Sequence, residues 1–305
     1  MTIVGRASRF LKRRLHRLFH LNYRIVKAWR YPAYAWKQRH RLKPVIVYQM
    51  GKVGSSTVVS GLEKLGYDVY QVHVLTREWI GRVEGQYKKA SKDHGRGILD
   101  EHLLASMYLR RRLDREPRLR GRKTPVITLV RDPVARNISS FFQAFEIYFS
   151  EESARFNREH ARYEDRLGAL IDLFLDRFEE HDTPLIWYDT HFKPVFGIDV
   201  YASPFPVDRG YEIYRGDDAD ALLIRLEDLR TSAAPAFRSF LGVDGFELHD
   251  VNVGAEKRYS TAYGEFRKKI RLPAHYLDRM YGSRYARHFY SAQELEGFRA
   301  RWAAV

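Results

Sequence analysis

The run Val45-Ile46-Val47-Tyr48-Gln49-Met50 passes directly into Gly51-Lys52-Val53-Gly54-Ser55-Ser56-Thr57, then into a segment whose apolar residues Val58, Leu62 and Leu65 recur at helical spacing up to Gly66. The order spelled is strand, glycine turn, helix, because a β-branched run suits a buried strand and glycine closes a helix. Downstream, Asp68 to Leu75 reads as a second strand, Leu99 to Glu116 as a helix and Pro125 to Arg131 as a third strand. Asp132-Pro133 then turns the chain into a helix through Phe149. Proline there falls in the first helical turn, where its missing N–H costs nothing. Strands alternating with helices predict an α/β fold around a central parallel sheet.

The rest of the chain extends this plan. Residues 150–216 read as a helical insertion, a plausible lid or acceptor-binding element. It carries a charged helix with Leu167, Leu170, Ile171, Phe174 and Phe178 on one face, then an aromatic and proline-rich stretch from Pro184 to Pro206. Tyr211 to Tyr214 and Leu222 to Leu226 read as further strands, Ser232 to Leu241 as a helix, and Tyr263 to Trp302 as mostly helical. With no internal repeat, the economical division is a basic extension, 1–43, and one α/β domain, 44–305.

Composition narrows the chemistry. A chain of 305 residues without cysteine has no disulfide framework, no thiolate-held metal and no cysteine nucleophile. No apolar run approaches the length of a membrane span, and no secretory signal is read at the N-terminus. The net charge is +15, of which residues 1–43 contribute thirteen Lys or Arg and no acidic residue, so the remainder is nearly neutral. Within that extension Leu11, Leu15, Leu18, Ile25 and Trp29 alternate with basic residues, the pattern of an amphipathic helix on anionic lipid headgroups. The expected location is cytoplasmic, with this extension peripheral at the inner membrane face. Charge confined to one end speaks against a nucleic-acid partner.

The glycine turn is an anion site by design: consecutive N–H groups at a helix N-terminus, small residues allowing close approach, hydroxyls on Ser55, Ser56 and Thr57, and a positive charge on Lys52. It differs from the nucleoside-triphosphatase loop, in which lysine follows the second glycine. The second candidate is Arg131 with Ser139. One lies at the carboxyl end of the third strand and the other eight positions on, in the next helix, where together they could clamp a phosphate monoester. The histidines form no ligand pair set in a carboxylate cluster, so no metal is expected. There is no Gly-x-Ser-x-Gly elbow of a serine hydrolase.

Gln49 to Thr57 resembles the 5′-phosphosulfate loop of the sulfotransferase superfamily, and Val130-Arg131-Asp132-Pro133 through Ser139 resembles its 3′-phosphate motif. That superfamily takes its sulfuryl group from 3′-phosphoadenosine 5′-phosphosulfate, PAPS. Asp199-Val200-Tyr201, Leu226-Glu227-Asp228-Leu229 and Tyr285-Ala286-Arg287-His288-Phe289-Tyr290 are similar to bacterial proteins described as capsular polysaccharide synthesis or sulfotransferase-like. The resemblance implies a three-layer, P-loop-like fold, PAPS as donor without a required metal, and a glycan acceptor.

It also implies roles. Lys52 would stabilise the leaving phosphate. The backbone of Val53, Gly54, Ser55, Ser56 and Thr57 would hold the 5′-phosphate, and Arg131 with Ser139 the 3′-phosphate. Lys257 and Arg258 would close over the nucleotide. A general base is needed, and His73, in the second strand, is the first choice; Glu78 and Glu101 are the fallbacks, with His102 and His191 as candidate acceptor contacts. An ATP-dependent phosphotransferase and a non-catalytic, membrane-associated scaffold of capsular polysaccharide assembly stay open beside the sulfotransferase reading.

Overall fold

The computed structural model describes residues 23–39, 44–94, 101–115, 123–148, 163–248 and 266–303. The chain runs through α1 (Tyr23–Gln38), β1 (Pro44–Tyr48), α2 (Ser55–Lys64), β2 (Asp68–Val72), α3 (Arg77–His94), α4 (Glu101–Arg115), β3 (Thr124–Val130) and α5 (Pro133–Tyr148). It continues through α6 (Tyr163–Asp172), α7 (Thr183–Trp187), α8 (Lys193–Phe196), β4 (Tyr211–Arg215), β5 (Ala219–Arg225), α9 (Leu229–Leu241), α10 (Ala274–Tyr281), α11 (Arg284–Phe289) and α12 (Ala292–Trp302).

The strands form one sheet in the order β2-β1-β3-β5-β4, parallel except for β4, which pairs antiparallel with β5. From β1 the chain crosses to β2 on one side, then returns past β1 to β3 on the other. The right-handed sense of such crossovers assigns their helices to opposite faces. The same reversal creates a switch point between β1 and β3, and loops at the carboxyl ends of such neighbours border the crevice where open α/β sheets take ligands.

Burial explains the strands. Val45, Ile46, Val47 and Tyr48 of β1 and Val126, Ile127, Leu129 and Val130 of β3 are almost wholly buried, as strands covered on both faces must be. They join Trp187, Tyr188, Phe192 and Phe196, from the segment 183–196, in one core cluster. A second cluster gathers α5, α6 and the C-terminal helices around Phe141, Phe174, Phe266 and Trp302.

Four local readings are refined. β1 stops at Tyr48 rather than Met50, because the glycine turn leads the chain away. β2 therefore stops at Val72 rather than Leu75, since after the bond from Gln49 N to Val72 O it has no ladder partner. The expected single helix through Phe178 ends at Asp172 and continues as a π-helical turn, Leu173–Arg177. The proline-rich stretch is partly helical: Pro184 and Pro194 sit at the starts of α7 and α8, where proline is tolerated. Among the described residues no helix is long and apolar enough to cross a membrane.

Candidate functional site

The turn between β1 and α2 is built from two left-handed residues. Lys52 has φ 74°, the only positive φ outside glycine among the described residues, and Gly54 has φ 82° at the N-cap of α2. Gly54 offers no side-chain cap, so the first N–H groups of α2 are left to whatever occupies the turn. A Cβ at Gly54 would collide with the Leu226 side chain, so glycine is required twice over, by conformation and by space. Gly54→Ala is expected to cost about 1–2 kcal/mol of stability for the left-handed backbone alone, read by thermal denaturation.

Arg131, the first residue after β3, reaches across the switch point: its Nη1 donates to the carbonyl of Lys52 at 2.9 Å. The glycine turn and Arg131 therefore meet at one sheet edge. A residue absent from the sequence expectation reinforces the link. Arg136, buried in the first turns of α5, donates from Nε to the Gly51 carbonyl at 3.2 Å and from Nη2 to Glu180 Oε2 at 3.2 Å. Its signal was its position five residues beyond Arg131, one helical turn inside the same motif. Ser139 is half-buried on α5, and its neighbour Ser140 donates to Glu180 Oε2 at 2.8 Å. Lys257 and Arg258 lie outside the described residues.

The Arg131–Asp132 turn is held from behind. The Tyr285 hydroxyl accepts from Arg131 N at 3.0 Å and donates to Arg131 O at 2.8 Å. Glu227 Oε1 accepts from Asp132 N at 2.8 Å, and its Oε2 from the Tyr290 hydroxyl at 2.9 Å. Asp132 itself, 1% exposed, caps α5 by accepting from Val134 N at 3.0 Å, and takes further hydrogen bonds from Tyr281 and Trp302. The segments around Glu227 and Tyr285 thus serve as scaffolding for Arg131.

On the other side of β1, two glutamines and two histidines converge. Ser55 Oγ accepts from Gln49 Nε2 at 2.8 Å and from Gln71 Nε2 at 2.7 Å. With both lone pairs engaged, that hydroxyl is left to donate, which suits an anion at the turn. His73 lies one residue past β2, and its Nδ1 is 3.0 Å from the Gln49 carbonyl; His102, in the first turn of α4, places Nδ1 2.9 Å from the Gln71 carbonyl. A carbonyl can only accept, so the hydrogen-bonded Nδ1 of each ring carries a proton, and in the neutral imidazole the lone pair falls on Nε2, the arrangement a base requires. The two rings stand 5.2 Å apart between centroids.

The other candidates stand elsewhere. Glu78 pairs with Arg82 at 2.7 Å on the exposed surface of α3, and Glu101 is exposed at the start of α4. His191 is buried against Trp79 and Trp187, and burial pushes its imidazole down to about 4, so it is neutral at pH 7. An apolar hollow lined by Pro44, Ile46, Tyr70, Leu109 and Thr124 lies at the amino ends of β1 and β3, the edge opposite the glycine turn.

Residues 168–291 match the family described as "Putative capsular polysaccharide synthesis protein". No curated protein and no solved structure matches the chain. The matched stretch includes Glu227, Tyr285 and Tyr290, which brace the Arg131–Asp132 turn, whereas Lys52, His73 and Arg131 precede it. This chain is therefore similar, over less than half its length, to a capsular polysaccharide synthesis family.

Proposed function

We propose that this protein is a sulfotransferase that moves a sulfuryl group from PAPS to a hydroxyl of a glycan or related cell-envelope acceptor. The observation that carries the reading is the bond from the Arg131 guanidinium to the Lys52 carbonyl, which brings the two proposed anion cradles together at one switch point. A nucleotide with phosphates at both ends of its ribose needs such a pair; a single phosphate needs one. The residues fit that ligand: an uncapped helix N-terminus with a donor hydroxyl on Ser55, a cationic Lys52, and Arg131 opposite. The family match at residues 168–291 adds a glycan context.

In the proposed reaction the acceptor oxygen bonds to sulfur as the bond from sulfur to the 5′-phosphate oxygen breaks. The acceptor proton passes to Nε2 of His73, and the charge released on the departing 3′,5′-ADP falls to Lys52 and the N–H groups of Gly54 to Thr57. Arg131 and Ser139 grip the 3′-phosphate. Preorganised donors of this kind lower the barrier without reorganisation at the moment of reaction.

Calorimetric titration tests the donor. The full chain is expected to bind 3′,5′-ADP, and Arg131→Ala to weaken binding by about 10- to 100-fold, the worth of a hydrogen bond to a charged group. Tighter binding of ATP with magnesium, accompanied by γ-phosphate release, would replace this reading with a phosphotransferase. Transfer of labelled sulfate from PAPS to an envelope glycan fraction separates an enzyme from a scaffold that only binds.

A further inference from the structure

Helix α1 is docked with its apolar stripe turned outward. Trp29, Pro32, Ala33 and Trp36 fall at i, i+3, i+4 and i+7, the spacing of one helix face, and all four are exposed, Trp29 at 73% and Trp36 at 60%. In a helix that merely covers its own domain this stripe would point inward. Here the inward face is a different one. Lys27 pairs with Glu84 of α3 at 2.7 Å, Tyr34 meets Tyr108 of α4 edge-on at 6.0 Å, Tyr31 and Tyr34 pack against Ile80, Leu103 and Leu104, and Gln38 is buried. These contacts on two helices fix the rotation of α1 about its axis, so the outward position of both tryptophans is set by the fold.

We infer that the Trp29–Trp36 face of α1 is a docking surface for an anionic lipid bilayer. Charge selects the occupant. Residues 1–43 hold thirteen Lys or Arg and no acidic residue, while the rest of the chain is nearly neutral. Lys37 and Arg39 are exposed beside the stripe, with the Arg39 guanidinium 4.4 Å from the Trp36 ring centroid. Tryptophans flanked by basic side chains belong at the headgroup boundary, where the indole is half-solvated and the cations meet lipid phosphate. A second copy of this basic chain would bring like charges together, and a nucleic acid would leave the apolar stripe without a partner. The surface goes beyond the proposed chemistry and stands whether or not PAPS is the donor.

The test uses the full chain and sedimentation with vesicles of mixed phosphatidylglycerol and phosphatidylcholine, against vesicles of phosphatidylcholine alone. The wild type is expected to partition onto the anionic vesicles, with its tryptophan fluorescence quenched by brominated acyl chains. In the Trp29→Ser/Trp36→Ser double variant, partitioning falls by at least about tenfold and the quenching disappears. Because both side chains are exposed, the melting temperature of the variant should match the wild type, which separates lost docking from lost folding. Three results overturn the inference: no binding to anionic vesicles, undiminished binding and quenching in the double variant, or a double variant that changes self-association and leaves vesicle partitioning alone.

Discussion

Lys52→Ala is expected to lower the rate of sulfuryl transfer by about 10²- to 10³-fold, the usual loss on removing one preorganised donor to a developing anion. The position argues for it. A non-glycine residue in the left-handed region costs about 1–3 kcal/mol, and such strain persists where the surroundings impose it for a purpose. At φ 74° Lys52 offers its carbonyl to Arg131 while its side chain stands on the turn proposed to receive the 5′-phosphate. Lys52→Gly separates these contributions: it relaxes the backbone, so the protein is expected to be no less stable than wild type, yet equally slow in transfer. A kcat unchanged in both variants, measured with labelled PAPS, would remove Lys52 from the reaction. His73→Ala gives the complementary pattern. Loss of a general base costs about 10²- to 10⁴-fold in kcat, with affinity for 3′,5′-ADP retained because the imidazole faces the Gln49 carbonyl rather than the helix N-terminus.

Both turns proposed as anion cradles could be picked out in the sequence because each is local. A β-branched strand entering a glycine turn, and Arg131-Asp132-Pro133 at a strand-to-helix junction, carry their geometry within a dozen residues. The parallel sheet followed from the same alternation. What stayed hidden depends on register and on long-range pairing. Val47 stands opposite Gln71 and Tyr48 opposite Val72, so the chain beyond the ladder brings Gln49 beside His73, and both glutamines reach Ser55; no window of sequence contains that pairing. His102 joins them from thirty-one residues beyond Gln71. Helix α3 escaped notice for a different reason. Its apolar positions Ile80, Val83 and Tyr87 are thinly spread among charged residues and glycines, so its hydrophobic period is faint; the usable signal was the cap, Thr76 Oγ1 accepting from Trp79 N.

The largest stability effect is expected at Asp132, whose carboxylate is buried behind Arg131 against Tyr281 and Trp302. Asp132→Ala strips the acceptor from Val134 N–H, the Tyr281 hydroxyl and Trp302 Nε1–H together, and is expected to cost about 3–5 kcal/mol, several times the toll of an ordinary surface change. Asp132→Asn is the more informative variant. It keeps an oxygen for Val134 and Tyr281 but sets an N–H₂ group against the Trp302 N–H, so it too is destabilised near pH 4, by about 1–3 kcal/mol. The gap between variant and wild type then depends on pH. Burial raises the Asp132 carboxyl above its ordinary value, although the Trp302, Tyr281 and Val134 donors and the Arg131 charge oppose that rise. Above its unfolded pKa, about 3.9, the folded protein therefore binds more protons at this site than the unfolded chain, so the wild-type contribution is full at lower pH and is lost as pH climbs through the raised folded value. Asparagine has no such dependence. Melting temperatures of wild type and Asp132→Asn are thus expected to converge as pH rises from 4 toward neutrality, and curves that run parallel or diverge would mean that Asp132 is held by its hydrogen bonds as a stable anion.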